Sequence, residues 1–362
     1  GRLVFASELR AYDSDWRGDV DLFPPGHYWT PEEGLVRFAS VSGRHGPDEA
    51  WPDTDEPGPA VLSRIRETLG SAVRRQMMAD VPVGVLLSGG LDSSLVTAVA
   101  AEHARRAGTT LRTFAVGTPT SPDLVAARGV AELLGTEHHE RVYTAQEAVD
   151  VVQEVVAAIE SYEPSLVRSA VPNFLLAGLA ARHVKVVLTG EGADELFAGY
   201  EYLRGVDDAA LHAELVRTVE GLHNLNLQRC DRVTMAHGLE ARVPFLDLEV
   251  IALGLSLPVG WKTASEGRME KHLLRRAFEG ALPDEVLWRR KAQFGDGSGA
   301  TDVLRERVAA TVSDADLAAA RAGANGGLPA PRTHEELGYQ RMFRAYLEGV
   351  HPERVLGRFA TA

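Results

Sequence analysis

The stretch Ser88-Gly-Gly-Leu-Asp-Ser-Ser94 gathers hydroxyls, glycines and a carboxylate on one short turn. That set suits phosphate. Gly89 and Gly90 let the backbone fold tightly and approach a ligand. The hydroxyls of Ser88, Ser93 and Ser94 can donate to phosphate oxygens, and Asp92 can hold Mg2+ beside them. No Gly-Lys-Ser/Thr follows, so this is not a P-loop of the Walker kind. A second carboxylate, Glu191, stands between glycines just after Thr189-Gly190. There it can serve as general base, metal ligand or structural cap. The chain has only four lysines, Lys185, Lys262, Lys271 and Lys291, against an arginine-rich background. A lysine that persists in such a chain suggests a need for a compact ammonium. Lys271 opens a basic stretch and Lys291 follows Arg289-Arg290, while Arg275 and Arg276 read as a solvated basic face. Arg168 and Arg229 can each pair with a substrate carboxylate.

These groups need elements to hold them. Val83 to Leu87 is a continuous apolar run of the kind a strand buried on both faces requires. It breaks into the Ser88 turn, and Leu95 to His103 then follows with helical periodicity. Strand, turn and helix N-terminus together present free N–H groups and the positive end of a helix dipole to an anion. ATP phosphate is expected there. Leu111–Val116 and Val184–Thr189 are further buried strands, ending at Gly117 and Gly190. Between them, 123–134, 145–160 and 169–182 read as helices and 136–143 as a short strand. Strands alternating with helices predict an α/β fold, a doubly wound parallel sheet with helices on both faces. Its ligand belongs at the carboxyl ends of the strands. Leu87 and Val116 end the strands nearest the turn and are expected to line an adenine pocket.

Upstream, 60–78 is predicted as a helix stopped by Pro82, and 42–59 as a linker. Leu3–Leu9 mixes a short strand with a helix start. Phe23-Pro-Pro-Gly-His-Tyr-Trp29 reads as a turn leading into a strand, with a partner strand in 34–41. Beyond Tyr200 the pattern is mostly helical, with a surface helix pair in 300–322, a loop in 323–333 and a closing helix over 335–347. The predicted division is 1–57, a small β remnant plus linker, and 58–362, the ATP-using domain.

A net charge of −13 over 362 residues argues against nucleic acid as the main partner. The single cysteine, Cys230, excludes an intrachain disulfide and fits a reducing compartment; it reads as an inert buried thiol. No apolar run approaches a membrane span and the N-terminus lacks a signal pattern, so the expectation is a cytoplasmic protein. His138-His139 lacks partners at metal-ligand spacing. Arg242 and Asp247 flank Val-Pro-Phe-Leu and read as locking a turn.

The Ser88 stretch resembles the PP-loop of the ATP pyrophosphatases, and in particular that of the asparagine synthetase family. The similarity continues in order through Thr113–Gly117, Ser121–Leu124, Leu134–Glu140, Thr189-Gly-Glu-Gly-Ala-Asp-Glu-Leu-Phe-Ala-Gly-Tyr200, Gly238–Asp247 and Trp288–Phe294. It runs from about Ala60 to Gly299 and weakly beyond. The resemblance implies an ATP-dependent amide ligase that adenylates a carboxylate, the L-aspartate side chain, and transfers ammonia to it. It implies that Glu191 assists proton removal from ammonia, that Asp92 and Asp194 share Mg2+, and that Lys271 and Lys291 meet the phosphates. β-Lactam synthetases and peptide cyclases, which adenylate other acids, resemble the same scaffold. In β-lactam synthetases the counterpart of Glu191 differs, so Glu191 favours ammonia transfer.

One departure bears on the nitrogen source. Members of the glutamine-using type resemble a two-domain plan whose N-terminal glutaminase uses the chain's first cysteine as nucleophile, and this sequence has no such cysteine. Its first forty-odd residues resemble the last stretch of that domain. Either the chain is a fragment of a longer protein, as the non-Met start suggests, or it takes free ammonia or an amine delivered by a partner. A homodimer is a further expectation.

Overall fold

The computed structural model describes residues 3–41, 51–52, 54–263, 267–291, 297–323 and 325–357. Most of the predicted linker, and the last three residues of the Trp288–Phe294 motif, lie outside them. Near the N-terminus, β1 (His27–Thr30) and β2 (Gly34–Arg37) form an antiparallel hairpin. The main sheet contains β3 (Val83–Leu86), β4 (Arg112–Gly117), β5 (Glu137–Val142), β6 (Val186–Leu188) and β7 (Glu240–Arg242). Its order is β5-β4-β3-β6-β7 and every pair is parallel. The chain winds outward from β3 through β4 to β5, then returns to the other side of β3 as β6. The crossover therefore falls between β3 and β6, where an open α/β sheet leaves a crevice for ligand.

Alternate strand residues face opposite sides, and two cores follow. Val85 and Leu188 join one core, with the Pro59–Gln76 and Leu91–Arg106 helices. Phe114, Val116 and Val187 join the other, with Ala145–Ile159, Pro164–Ala180, Asn226–Met235 and the closing His334–Leu347 helix. Helices therefore cover both faces, as predicted. Among the described residues, no helix is long and apolar enough to cross a membrane.

Three local expectations change. The strand predicted within 3–9 is absent: residues 3–6 carry no regular structure, and Leu9–Ala11 is a short 3-10 helix. Phe5 instead packs its ring against Phe23 and Trp29, and a strand without a partner gains no ladder of hydrogen bonds. The helix expected from Ser169 starts earlier, at Pro164, whose missing N–H costs nothing in a first turn. β7 escapes the pattern because two of its three residues are charged; its pairing with β6 defines it.

Candidate active site

A cleft of about 480 Å3 opens at the carboxyl ends of β3 and β6. On the β3 side, Gly89 has φ +71°, and a Cβ there would come within 2.5 Å of the Ala127 nitrogen. Only glycine suits this left-handed, close-packed position. The Ser88 and Ser93 hydroxyls lie 3.1 Å apart, and the Gly90 N–H donates to Ser88 Oγ at 3.3 Å. Both serines line the cleft. Ser94 does not; it is fully buried, and its hydroxyl finds no partner among the described residues. From the β6 side Gly190 packs directly onto this helix start, where an added Cβ would lie 2.9 Å from Asp92 Cβ.

The two loops bring carboxylates together. Lys271, buried and in the left-handed region at φ +55°, donates to Asp92 and lies 2.7 Å from Asp194. Lys291 pairs with Asp194, donates to the Gly199 carbonyl at 3.0 Å, and stands 5.0 Å above the Tyr200 ring. Lys271, Lys291, Asp92 and Asp194 thus form one ion cluster, from segments up to 199 residues apart in sequence number. A non-glycine residue at positive φ costs on the order of 1–3 kcal/mol and persists where surroundings over-determine it. Gly199 leaves the space the cluster occupies, since a Cβ there would collide with Asp194 and Lys271. Burial pushes the Asp92 carboxyl up, against the pull of Lys271. Burial acts on Asp194 too, but the two ammoniums outweigh it and hold that carboxyl below the usual range. Asp92 Oδ1 is buried and has no hydrogen-bond partner among the described residues.

Glu191 reaches the opposite wall, where it accepts from Arg229 Nη2. Arg229 Nη1 donates to Ser169 Oγ at 2.9 Å. Arg168, next to Ser169 on the Pro164–Ala180 helix, pairs with Glu335 at 2.8 Å. Both arginines face the cleft.

 

The structure also places some expected residues elsewhere. The Val116 side chain is buried in the second core, and Leu87 in a smaller cluster of its own with Ala115, Leu124 and Ala127. At that strand end it is Leu86 that lines the cleft. Arg275 is not solvated: it is 1% exposed, the largest fully buried side chain described. Its guanidinium donates to the Glu270 carbonyl at 2.9 Å, to the Arg289 carbonyl at 3.1 Å, and to the Leu287 carbonyl and the Glu270 carboxylate. Cys230 is buried, and that burial pushes its thiol up to about 12. His138 and His139 lie on β5, where His138 bonds Thr113 Oγ1 at 2.9 Å and His139 stacks on His183. Arg242 ties β7 to the Gln76 and Met78 carbonyls, and Asp247 caps the Leu248–Ser256 helix.

Sequence reasoning missed two contributors. Arg289 donates to the Gly89 carbonyl at 3.0 Å and to Asp123 at 2.8 Å, clamping the Ser88 turn from outside. Glu195 is buried behind Asp194 and accepts from Tyr200. Arginine in a basic run and glutamate in an acidic first turn carry no spacing signal, so nothing in the sequence set these two apart.

The asparagine synthase family model matches residues 64–207 and 204–355. A probable asparagine synthetase [glutamine-hydrolyzing] of Schizosaccharomyces pombe is 38% identical over 368 residues, covering 94% of this chain and 64% of that protein. Asparagine synthetase [glutamine-hydrolyzing] 1 of Saccharomyces cerevisiae is 38% identical, covering 95% of this chain and 66% of its own length. Asparagine synthetase B [glutamine-hydrolyzing] of Escherichia coli is 40% identical over 337 residues, covering 89% and 59%. The chain therefore spans about three fifths to two thirds of the length of these curated relatives.

Proposed function

The chain belongs to the asparagine synthase family, and from that premise we propose that its cleft joins ammonia to a carboxylate at the expense of ATP, with L-aspartate as the acid and asparagine, AMP and pyrophosphate as products. One observation carries the reading. The Ser88 turn, the Asp92–Asp194 pair and two lysines converge at the β3–β6 crossover, with Glu191 on the same loop as Asp194.

A substrate carboxylate oxygen attacks the α-phosphorus of ATP, and the bond from that phosphorus to the bridging oxygen of pyrophosphate breaks. Ser88 and Ser93 donate to the departing pyrophosphate, while Lys271 and Lys291 offset its charge. A donor placed where charge develops is typically worth about 3–4 kcal/mol of barrier. Ammonia then attacks the acyl carbon of the acyl-AMP. Glu191 accepts the proton that nitrogen loses, and AMP departs with the electrons of the acyl–oxygen bond.

Mg2+ fits the donor set. Asp92 and Asp194 already share one cation, the Lys271 ammonium, and Asp92 keeps a buried oxygen without a partner. Two carboxylates, completed by water and phosphate oxygens, are a usual magnesium set. Bound there, the ion would neutralise phosphate charge in the transition state.

The test supplies Mg-ATP, ammonium and a panel of carboxylic acids, and identifies the nucleotide product. AMP and pyrophosphate formed in proportion to asparagine are expected with L-aspartate. ADP and phosphate would exclude the mechanism. AMP formed with another acid, and not with aspartate, would move the substrate to that of the amide-forming relatives.

A further inference from the structure

Arg229 is 8% exposed, yet its guanidinium is only partly used. Nη1 donates to Ser169 and Nη2 to Glu191, while Nε is buried and finds no partner among the described residues. Nε and Nη2 share one edge of the guanidinium, the edge that grips a carboxylate through two parallel hydrogen bonds. Glu191 takes only half of that edge. An unmade bond at a buried charged donor is costly, and a carboxylate able to use both nitrogens would satisfy it.

The position suits such a ligand. Glu191 follows Gly190, which packs against Asp92 and Ser93 at the start of the phosphate helix. Ser169, Arg229 and Glu191 all line the cleft. An acid whose reacting carboxylate meets the nucleotide can thus extend a second carboxylate toward Arg229. While Glu191 accepts from Arg229, however, it is turned to the wall and occupies that place itself.

We infer that Glu191 stands in for the second carboxylate of a dicarboxylic amino acid: substrate takes Arg229, displaces Glu191, and so frees the proton acceptor only when the acid is bound. This rests on the proposed function and adds a seat and an order to it. Monocarboxylic acids would leave Glu191 on Arg229, so the exchange also selects among acids.

An internal competitor weakens apparent affinity by the fraction of time it holds the site. If Glu191 occupies Arg229 for about nine-tenths of the time, removing it tightens binding about tenfold. Calorimetric titration of the full chain with L-aspartate and with β-alanine, which lacks the second carboxylate, tests this. Glu191→Gln should bind L-aspartate about tenfold more tightly than wild type and β-alanine equally. Glu191→Gln/Arg229→Gln leaves no unpaired charge at the pair, and it should lose the gain and bind both acids alike. Unchanged or weaker aspartate binding by Glu191→Gln would overturn the inference. So would an equal gain for β-alanine, or a gain that survives in the double variant. Wild-type AMP formation separates the two readings: if it depends on aspartate while Glu191→Gln shows no gain, only the exchange fails. If wild type neither binds aspartate nor forms AMP with it, the function fails and the seat with it.

Discussion

Behind the Thr189 loop, Tyr200 donates to Glu195, and Asn226 donates to Tyr200 Oη at 3.0 Å and to Glu195 at 3.4 Å. Burial, and then the charge of neighbouring Asp194, push the Glu195 carboxyl from 4.5 up to about 7. The folded protein therefore keeps this proton at a pH where the unfolded chain has released it. The contribution of Glu195 to stability falls as pH rises from about 4.5 to about 7 and then stays level. Glu195→Gln mimics the protonated acid and still accepts from Tyr200. It should match wild type at low pH and exceed it at high pH, by at most about 3 kcal/mol. Denaturant midpoints at pH 5 and pH 8 check this, and a difference that stays the same at both would refute it. Glu195 also marks what a sequence can say of a residue. Glu191 stood out because glycines flank it at a strand end. Glu195, four positions on, looks like any acidic residue in a helical first turn, and only packing reveals it as buried.

At the scale of elements, the two lysines of the ion cluster sit on segments that share no strand or long helix. Lys271 immediately precedes the short His272–Ala277 helix, and Lys291 ends the run after Asp284–Leu287. Arg275 joins them: one guanidinium bonds Glu270 on the first segment and the Leu287 and Arg289 carbonyls on the second. Arg275→Lys keeps the charge but not the fork. Each lost bond from a charged donor costs about 1.5–3 kcal/mol, so the melting temperature should drop. Because Arg275 positions Lys271 and Lys291, kcat for AMP formation should also fall, roughly tenfold or more, at temperatures where circular dichroism shows an intact fold. A lower melting temperature with unchanged kcat would reduce Arg275 to a structural role. The strands that carry the site were legible in the sequence, because apolar runs ending in glycine at Leu87, Val116 and Thr189 are strong local signals. β7 and the buried Arg275 were not. A charged three-residue edge strand and a guanidinium satisfied by carbonyls both depend on partners distant in sequence.

Across the whole molecule, the carboxyl-end crevice could be inferred from alternating strands and helices, but the strand order could not. It is set by which edges pair, and that order places the Ser88 and Thr189 loops side by side. The N-terminal segment is likewise joined to the body that carries the main sheet by contacts the pattern does not announce. Glu160, 1% exposed and at φ +50°, ends the Ala145–Ile159 helix. Its carboxylate accepts from the Leu9 and Arg10 backbone N–H groups at 2.9 and 2.8 Å and lies 3.3 Å from Arg232. A second tie, Arg354 to Asp21 at 2.7 Å, is largely exposed and so contributes little. The buried carboxylate is therefore the stronger anchor. Glu160→Gln retains the shape but removes the charge and one acceptor. The two N–H groups bond different oxygens, so one loses its partner to the amide NH2, the other bond weakens, and Arg232 is left with less compensation. Loss of charge-assisted bonds of this kind costs about 1.5–3 kcal/mol each. The cost falls on local opening of the segment, not on the two cores, which Glu160 does not hold together. Hydrogen exchange should accelerate at Leu9 and Arg10 by roughly tenfold or more, with protection in β3, β4 and β6 unchanged. Equal acceleration throughout the sheet would mean that the segment and the main sheet open as one cooperative unit.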